Sequence, residues 1–116
     1  MVDDCLFCRI AAGEIPANVV HETRNTLAFR DIAPKAPVHV LVITKDHHAD
    51  VAALAAVDPA LAGEVLATAA EVARAEGIGE RGYRLMFNSG PDSGQEVAHV
   101  HAHLLGGQPL GPMLCA

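Results

Sequence analysis

The segment HVHAHLL carries three histidines at alternate positions, His99, His101 and His103. Successive side chains of a β-strand point to opposite faces, so this spacing predicts three imidazoles on one face and apolar side chains on the other. A neutral imidazole has a lone pair near pH 7, and it can attack phosphorus or a carbonyl carbon and later leave. His101 is the candidate nucleophile because it has a histidine on each side to donate protons.

Two other interpretations of the histidine row compete with nucleophilic catalysis. The first is one metal ion held by all three rings. At about 3.3 Å per residue the Cα atoms of His99 and His103 lie roughly 13 Å apart, too far for ligand bonds of about 2.1 Å. At most one neighbouring pair chelates an ion. The second is a solvated strand face without a chemical role. Three histidines in register make this interpretation less favourable.

A glycine-rich connection, NSGPDSGQEV at residues 88–97, precedes the histidine row. Gly90 and Gly94 permit positive φ, so the connection can turn backbone N–H groups towards an anion. A cradle of amides next to a nucleophile is what phosphoryl transfer needs to stabilise charge. No GK[ST] motif follows, which excludes a P-loop.

The chain has three cysteines, an odd number that does not make a disulfide framework. The close pair Cys5 and Cys8 is typical of metal ligands or of a thiol motif in a reducing compartment. A thioredoxin-like redox role is disfavoured because no strand precedes the pair. Cys115 is assigned no role.

Apolar periodicity predicts one long helix and two short ones. Residues 58–77 have Asp58 as N-cap, Pro59 at the first helical position and apolar side chains along one face. Shorter helices are expected at 5–12 and 50–56.

Runs of β-formers predict five strands with a hairpin turn at 24–25 between the first two. The predicted strands are residues 19–22, 26–30, 38–43, 83–88 and 97–105. Together with the helices they indicate a two-layer α+β fold in a single domain, residues 1–116. One helical layer leaves part of such a sheet uncovered, which favours self-association along an edge strand or the long helix.

The composition limits the classes of partner. Hydrophobic residues make up 51% of the chain and charged residues 19%, as in a folded globule. A net charge of −6 disfavours binding to nucleic acid or to an anionic membrane surface. The sequence has no secretory signal pattern and no apolar run long enough to span a bilayer, so we expect a cytoplasmic protein.

Three segments together, HVHAHLL, LAFRDIAPKAPVHVLVITKDH and NSGPDSGQEV, resemble the histidine triad (HIT) family, and most closely its Hint branch of nucleoside phosphoramidate hydrolases. The resemblance runs from about Cys5 to Gly107. It implies a HIT-like fold, with a five-stranded antiparallel sheet, one long helix and one or two short ones. It also implies a homodimer in which two sheets join into one of ten strands.

The resemblance implies a purine nucleotide whose ribose hydroxyls bind the carboxylate of Asp31. The side chains it implies for the base slot are Phe7, Ile10, Phe29, Ile32 and Leu41. By residue type alone, the aromatic and aliphatic members would be assigned to the core and Asp31 to a turn.

Around the α-phosphate the resemblance implies Asn88, Gly94, Gln95 and His103, with His101 forming a nucleotidyl-histidine that water then hydrolyses. It gives His39 the role of supporting His99, the first histidine of the row.

Two positions depart from the family pattern. Glu96, in the nucleotide-binding loop, stands where many relatives carry a hydroxyl near the phosphate and leaving group, and a carboxylate there is repulsive unless it turns away or is protonated. The C-terminal QPLGPMLCA lacks the tryptophan with which some eukaryotic relatives line the neighbouring subunit's site. Both departures leave the leaving-group preference open.

The Cys5–Cys8 pair resembles a zinc half-site of some bacterial family members and of galactose-1-phosphate uridylyltransferases. By that resemblance His47 and His99 complete the site, with the adjacent His48 as an alternative to His47. Two thiolates and two imidazoles form a suitable tetrahedral set for structural zinc, which would pin the N-terminal helix to the active-site strand. The alternative is a metal-free pair with partly exposed thiols. No organic cofactor is expected.

Three functions are compatible with these residues. The leading hypothesis is hydrolysis of the phosphorus–nitrogen bond in a purine nucleoside phosphoramidate, with release of an AMP-like product. Hydrolysis of dinucleoside polyphosphates would use the same intermediate with a phosphate leaving group. A nucleotide-binding regulatory dimer with little catalysis would act mainly through partners.

Overall fold

The computed structural model of the protein describes residues 4–114. Three strands follow the first helix, two helices come next and two strands close the order, with a short 3-10 helix at Pro91–Ser93 between those two strands. The elements are α1 (Leu6–Ala11), β1 (Val19–Glu22), β2 (Thr26–Arg30), β3 (Val38–Thr44), α2 (Val51–Val57), α3 (Pro59–Ala75), β4 (Tyr83–Phe87) and β5 (His101–Gly106).

The strands form one antiparallel sheet in the order β1-β2-β3-β5-β4. This arrangement confirms the predicted five-stranded antiparallel sheet with one long and two short helices. Within the described residues, β1 and β4 are the edges of the sheet, and β3 and β5 pair at its centre.

Alternation along the central strands separates two hydrophobic clusters. Val40 and Val42 of β3 face α3, whereas Leu41 and Ile43 face α1. On the same pattern Ala102 and Leu104 of β5 join the cluster under α3. The α1 side of the sheet is therefore where the histidines of β5 emerge.

Helix α3 supplies most of the cover for one face of the sheet. The Asp58 carboxylate accepts a hydrogen bond from the Leu61 N–H at 3.0 Å, and Pro59 occupies the first turn, as predicted. Val65 and Ala69 are almost completely buried against the strands. Complete burial of a valine side chain contributes about 1.5–3 kcal/mol. Within residues 4–114, neither α3 nor any other helix combines the length and apolarity that crossing a bilayer requires.

The predicted bounds of β1 and β2 are those of the structure, and those of β3 and β4 differ by one residue. The prediction that the last strand begins at residue 97 is wrong, because β5 begins at His101. Before that point the main chain bonds outside the sheet. The His99 N–H donates to the Val97 carbonyl at 2.8 Å, and the Val100 N–H donates to the His48 carbonyl at 2.7 Å. His99 consequently lies in a loop rather than in the strand.

Candidate active site

The three rings of the histidine row lie on the α1 side of the sheet although only two of them belong to β5. The rings of His101 and His103 have their centroids 5.0 Å apart. Phe7 of α1 makes edge contacts with His101 at 5.0 Å and with His99 at 5.9 Å. The antiparallel register sets Leu41 opposite His103 and Ile43 opposite His101. The site is therefore a row of imidazoles between α1 and the centre of the sheet.

The backbone fixes the tautomer of His101. Its Nδ1 lies 2.8 Å from the carbonyl oxygen of His99, and a carbonyl only accepts hydrogen bonds. In the neutral ring Nδ1 therefore carries the proton and donates it to that carbonyl. Nε2 is left with its lone pair, as a nucleophile requires.

His39 pairs with the last histidine of the row rather than with the first. The Lys35 backbone N–H donates to His39 Nδ1 at 3.1 Å, so the ring proton of neutral His39 is on Nε2. That Nε2 lies 3.0 Å from His103 Nδ1 and donates to it. The expectation that His39 supports His99 is wrong, because residues 97–100 leave the sheet and take His99 away from β3.

This chain of hydrogen bonds also sets the proton of His103. Because His103 Nδ1 accepts, its neutral ring holds the proton on Nε2. The pKa of His103 is lowered to about 4, chiefly by burial and then by the charges of His101 and His39, with Asp31 acting in the opposite direction. Burial also lowers the pKa of His39, partly offset by Asp31. Near pH 7 His103 is therefore a neutral hydrogen-bond donor.

Asp31, His39 and His103 bring their ligand atoms within 4.8 Å of one another, which is compact enough for a metal ion. The Asp31 carboxylate lies 3.5 Å from His39 Nε2. A metal on Nε2 would leave the neutral ring's proton on Nδ1, directed at the Lys35 N–H that now donates to it. Two donors would then face each other, so the group is a hydrogen-bonded chain rather than a metal site.

The residues expected around a ribose and base divide into buried and exposed ones. Asp31 follows β2, and its carboxylate accepts from the Ala33 N–H at 2.8 Å, forming a turn. Phe7, Phe29 and Leu41 are buried together in the α1-side cluster, and Ile10 packs at its margin. Ile32 is fully exposed and packs against none of them.

The loop at 88–97 is held by the side chain of Gln95. Its Oε1 accepts from the Gly90 N–H at 2.9 Å, while its Nε2 donates to the Ala49 and Val97 carbonyls at 2.9 and 3.0 Å. The amide that the resemblance directs at a phosphate is thus engaged in shaping the loop. Gly90 and Gly94 adopt φ of +83° and +82°, as the sequence predicts.

The ends of the same loop differ in exposure. Asn88 is half-buried directly after β4, and the following Ser89 hydroxyl donates to the Asp50 carboxylate at 2.7 Å. Glu96 is exposed and borders a surface cavity of ≈ 400 Å³ that Leu6 and His47 also line. The Glu96 carboxylate therefore lies at the edge of this cavity, on the side of the cysteines.

Cys5, Cys8, His47 and His99 form a second compact group, with ligand atoms within 4.8 Å of one another. The Nδ1 of His99 lies 3.3 Å from Cys5 Sγ and 3.5 Å from Cys8 Sγ, and the Nδ1 of His47 lies 3.4 Å from Cys8 Sγ. Tetrahedral zinc with bonds of about 2.3 Å to sulfur and 2.0–2.1 Å to nitrogen separates its ligand atoms by about 3.6 Å. The donor set therefore fits zinc.

His99 is oriented towards the thiols by a backbone group. Its Nε2 donates to the Thr44 carbonyl at 2.7 Å, which leaves the Nδ1 lone pair facing the sulfurs. Burial lowers the pKa of His99 to about 4, so the ring is neutral near pH 7. Cys5 and Cys8 are 8% and 2% exposed, so the prediction of partly exposed thiols for a metal-free pair is wrong in its exposure. His48 lies outside the group, and its carbonyl bonds Val100 instead.

Sequence reasoning missed the backbone partners of these rings. The Lys35 N–H and the Thr44 carbonyl each fix one histidine, yet neither depends on the identity of the residue that supplies it. The position of Asp31 beside His39 was also missed. It follows from the antiparallel return of β3 alongside β2, so register is the signal that could have predicted it.

The comparisons with known proteins agree with the geometry. The model of the HIT domain family matches residues 12–110. The chain is 44% identical to the purine nucleoside phosphoramidase of Escherichia coli K12 over 98% of its own length and 96% of that protein.

Solved structures give the same result. A HIT family hydrolase from Legionella pneumophila is 52% identical, with a TM-score of 0.89 over 93% of this chain and 96% of that one. A HIT family hydrolase from Clostridium thermocellum is 40% identical, with a TM-score of 0.94 over 99% and 100%. With its histidine row, its sheet and these relatives in agreement, the chain belongs to the HIT domain family.

Proposed function

We propose that this protein hydrolyses purine nucleoside 5′-phosphoramidates and releases the nucleoside monophosphate through a covalent nucleotidyl-histidine at His101. The observation that carries the proposal is the hydrogen bond from His101 Nδ1 to the His99 carbonyl, which leaves Nε2 unprotonated. The name of the relative from Escherichia coli, purine nucleoside phosphoramidase, supports this substrate class.

The reaction takes place in two displacements at the α-phosphorus. In the first, His101 Nε2 forms a bond to phosphorus, the phosphorus–nitrogen bond of the substrate breaks, and the amine leaves with that electron pair and takes up a proton from solvent. In the second, water attacks phosphorus and the bond to His101 breaks. The water proton goes to solvent and the imidazole returns to its starting tautomer.

His103 contributes to both displacements as a neutral donor. With Nδ1 occupied by His39, its Nε2–H is available to a phosphate oxygen on which negative charge accumulates. The lowered pKa argues against the expected role as proton donor to the leaving group, because the cation is scarce near pH 7. His99, directed at the thiols, has no free ring nitrogen for that role either.

Substrate binding is assigned to the two sides of the row. The Asp31 carboxylate is the proposed contact for the ribose hydroxyls. The proposed place for the base is the margin of the α1-side cluster near Ile10, with the exposed Ile32 as a further contact. Asn88 and the main chain of the loop near Gly94 would hold the phosphate. Because the Gln95 amide is used within the loop, its contribution is to preorganise these donors.

We also propose that the group of Cys5, Cys8, His47 and His99 binds a structural zinc ion. The chemistry of the donors and their spacing support this site. Bound zinc would close the site with four protein ligands and fasten α1 to the loop before β5. Reduced thiols at this position are consistent with a cytoplasmic protein.

The proposed assembly is a homodimer in which the two β4 strands pair to make a ten-stranded sheet. β4 is an edge strand with five residues in uninterrupted register, whereas β1 has a bulge between Val19 and His21. A bulge is a device that discourages edge pairing, so β4 is the more suitable edge.

Replacement of His101 by alanine tests the nucleophile. We expect His101→Ala to lower kcat for AMP release from an adenosine phosphoramidate by at least about a thousandfold, because no other ring can form the intermediate. His21→Ala on β1 is the matched control and retains activity. Mass spectrometry of quenched enzyme should find the nucleotidyl adduct on His101. Equal rates for His101→Ala and wild type would remove this residue from the mechanism, and faster turnover of a dinucleoside polyphosphate would reassign the substrate.

The lowered pKa of His103 predicts a pH dependence of stability. The folded state holds His103 neutral down to about pH 4, whereas the unfolded chain protonates it near pH 6.5. Stability is therefore complete above pH 6.5 and is lost as the pH falls towards 4. Between pH 7 and pH 5 we expect wild type to lose about 1–2 kcal/mol more than His103→Gln in urea unfolding. Parallel profiles would contradict the pKa, and His21→Gln should run parallel to wild type.

Metal analysis tests the zinc site. Protein purified without chelator is expected to contain one zinc ion per chain, and Cys5→Ser is expected to lose most of it because a thiolate ligand is missing. Cys115→Ser serves as the control for loss of a cysteine. Zinc at equal stoichiometry in Cys5→Ser and wild type would place the metal elsewhere.

Sedimentation equilibrium tests the assembly. We expect the mass of two chains at micromolar concentration, since pairing of β4 with its symmetry mate satisfies the backbone groups of that edge. A single-chain mass at that concentration would reject the dimer.

A further inference from the structure

His99 takes part in two arrangements at once. Its ring directs Nδ1 at the sulfurs of Cys5 and Cys8, at 3.3 and 3.5 Å. Its carbonyl accepts the Nδ1 proton of His101 at 2.8 Å. The group that would hold zinc and the group that sets the tautomer of the nucleophile are therefore parts of one residue.

A second contact joins the same two arrangements. Phe7 stands between Cys5 and Cys8 in the sequence, and its buried ring makes edge contacts with both His99 and His101. Because Phe7 lies between the two cysteines, a metal ion bound to both thiols would also restrain the position of this ring. The nucleophile is thus held from the cysteine side by one hydrogen bond and by one packed aromatic ring.

The sheet does not hold the His99 carbonyl in place. Strand pairing begins at His101, opposite Ile43, so the peptide unit that orients the nucleophile lies just before the ladder. The main-chain bonds at His99 and Val100 go to the Val97 and His48 carbonyls, which are themselves in loops. One anchor of that peptide unit is the Val100 N–H, bonded to the His48 carbonyl at 2.7 Å. The side chain of His99, directed at the two thiols, is the second.

We infer that the group of Cys5, Cys8, His47 and His99, when it holds zinc, positions the catalytic nucleophile, with His99 as the positioning residue. Ligation fixes the ring of His99, the ring fixes the carbonyl, and the carbonyl keeps the Nδ1 proton of His101 in place so that Nε2 stays directed at the substrate. The effect of zinc on the reaction rate rests on the proposed function. Its effect on the hydrogen bond between His101 Nδ1 and the His99 carbonyl does not.

The group is also accessible to reagents that remove metal. His47 is its only half-buried member, and it borders both the ≈ 400 Å³ cavity and a second surface cavity of ≈ 230 Å³. The cluster under α3 lies on the opposite face of the sheet. Metal can therefore be withdrawn from the α1 side while the main core remains packed.

Nuclear magnetic resonance of histidine-labelled protein tests the inference through the Nδ1 proton of His101. In the zinc-loaded wild type this proton should exchange slowly with solvent. After removal of zinc by chelator, and in Cys8→Ser, we expect exchange to accelerate by about tenfold or more. The same samples should lose about ten- to a hundredfold in kcat, with a smaller change in KM, because a small misplacement of a reacting group lowers the rate.

Two further variants separate an effect on the His101 proton from a general loss of folding. Asp58→Ala removes the cap of α3 on the opposite face, so it lowers stability without touching His99 and should leave the His101 proton unchanged. His47→Ala replaces Cys8→Ser if the latter does not fold, because His47 lies outside α1.

Unchanged exchange of the His101 proton in metal-free protein would overturn the inference. So would loss of amide protection throughout β2 and β3 on zinc removal, because the site would then act on the whole fold. Absence of phosphoramidate hydrolysis in zinc-loaded wild type would reject the proposed function alone, since proton exchange is measured without substrate.

Discussion

The chemistry of this site depends on backbone groups that fix which nitrogen of each imidazole carries a proton. Three histidines are bonded directly by the main chain: His39 by the Lys35 N–H, His99 by the Thr44 carbonyl and His101 by the His99 carbonyl. The fourth, His103, takes its tautomer from His39. One residue type is thereby suited to the proposed nucleophile, the proposed donor and a prospective metal ligand, since each ring keeps a different nitrogen available.

The parts of the fold that follow from local rules could be predicted from the sequence. Asp58 and Pro59 begin α3 because a cap and a fixed φ are properties of those residue types. The alternation of apolar and histidine residues assigned the two faces of β5, because side chains of a strand alternate whatever lies beside it. The resemblance also named in advance Cys5, Cys8, His47 and His99, whose ligand atoms the fold brings within 4.8 Å of one another.

What escaped prediction depends on contacts between distant segments. The alternation of histidine and apolar residues already begins at His99, so the sequence offers no sign that the main chain there bonds to His48 instead of to β3. The pairing of His39 with His103 depends on the register of β3 against β5, which no single residue encodes. Likewise, the Gln95 amide was assigned to a phosphate, whereas in the structure it makes two hydrogen bonds within the loop and one to the Ala49 carbonyl.

The segregation of β5 into an apolar and an imidazole face bears on how such a chain can diverge. Ala102 and Leu104 meet α3 while His101 and His103 face the opposite way, so substitutions at the odd-numbered positions alter reactivity with little effect on the main core. Insertion or deletion of one residue within the strand would exchange the faces, burying polar rings under α3 and presenting aliphatic chains to the substrate. Evolution of new specificities is thereby confined to replacements within a strand of fixed length, and length variation is left to the loops at its ends.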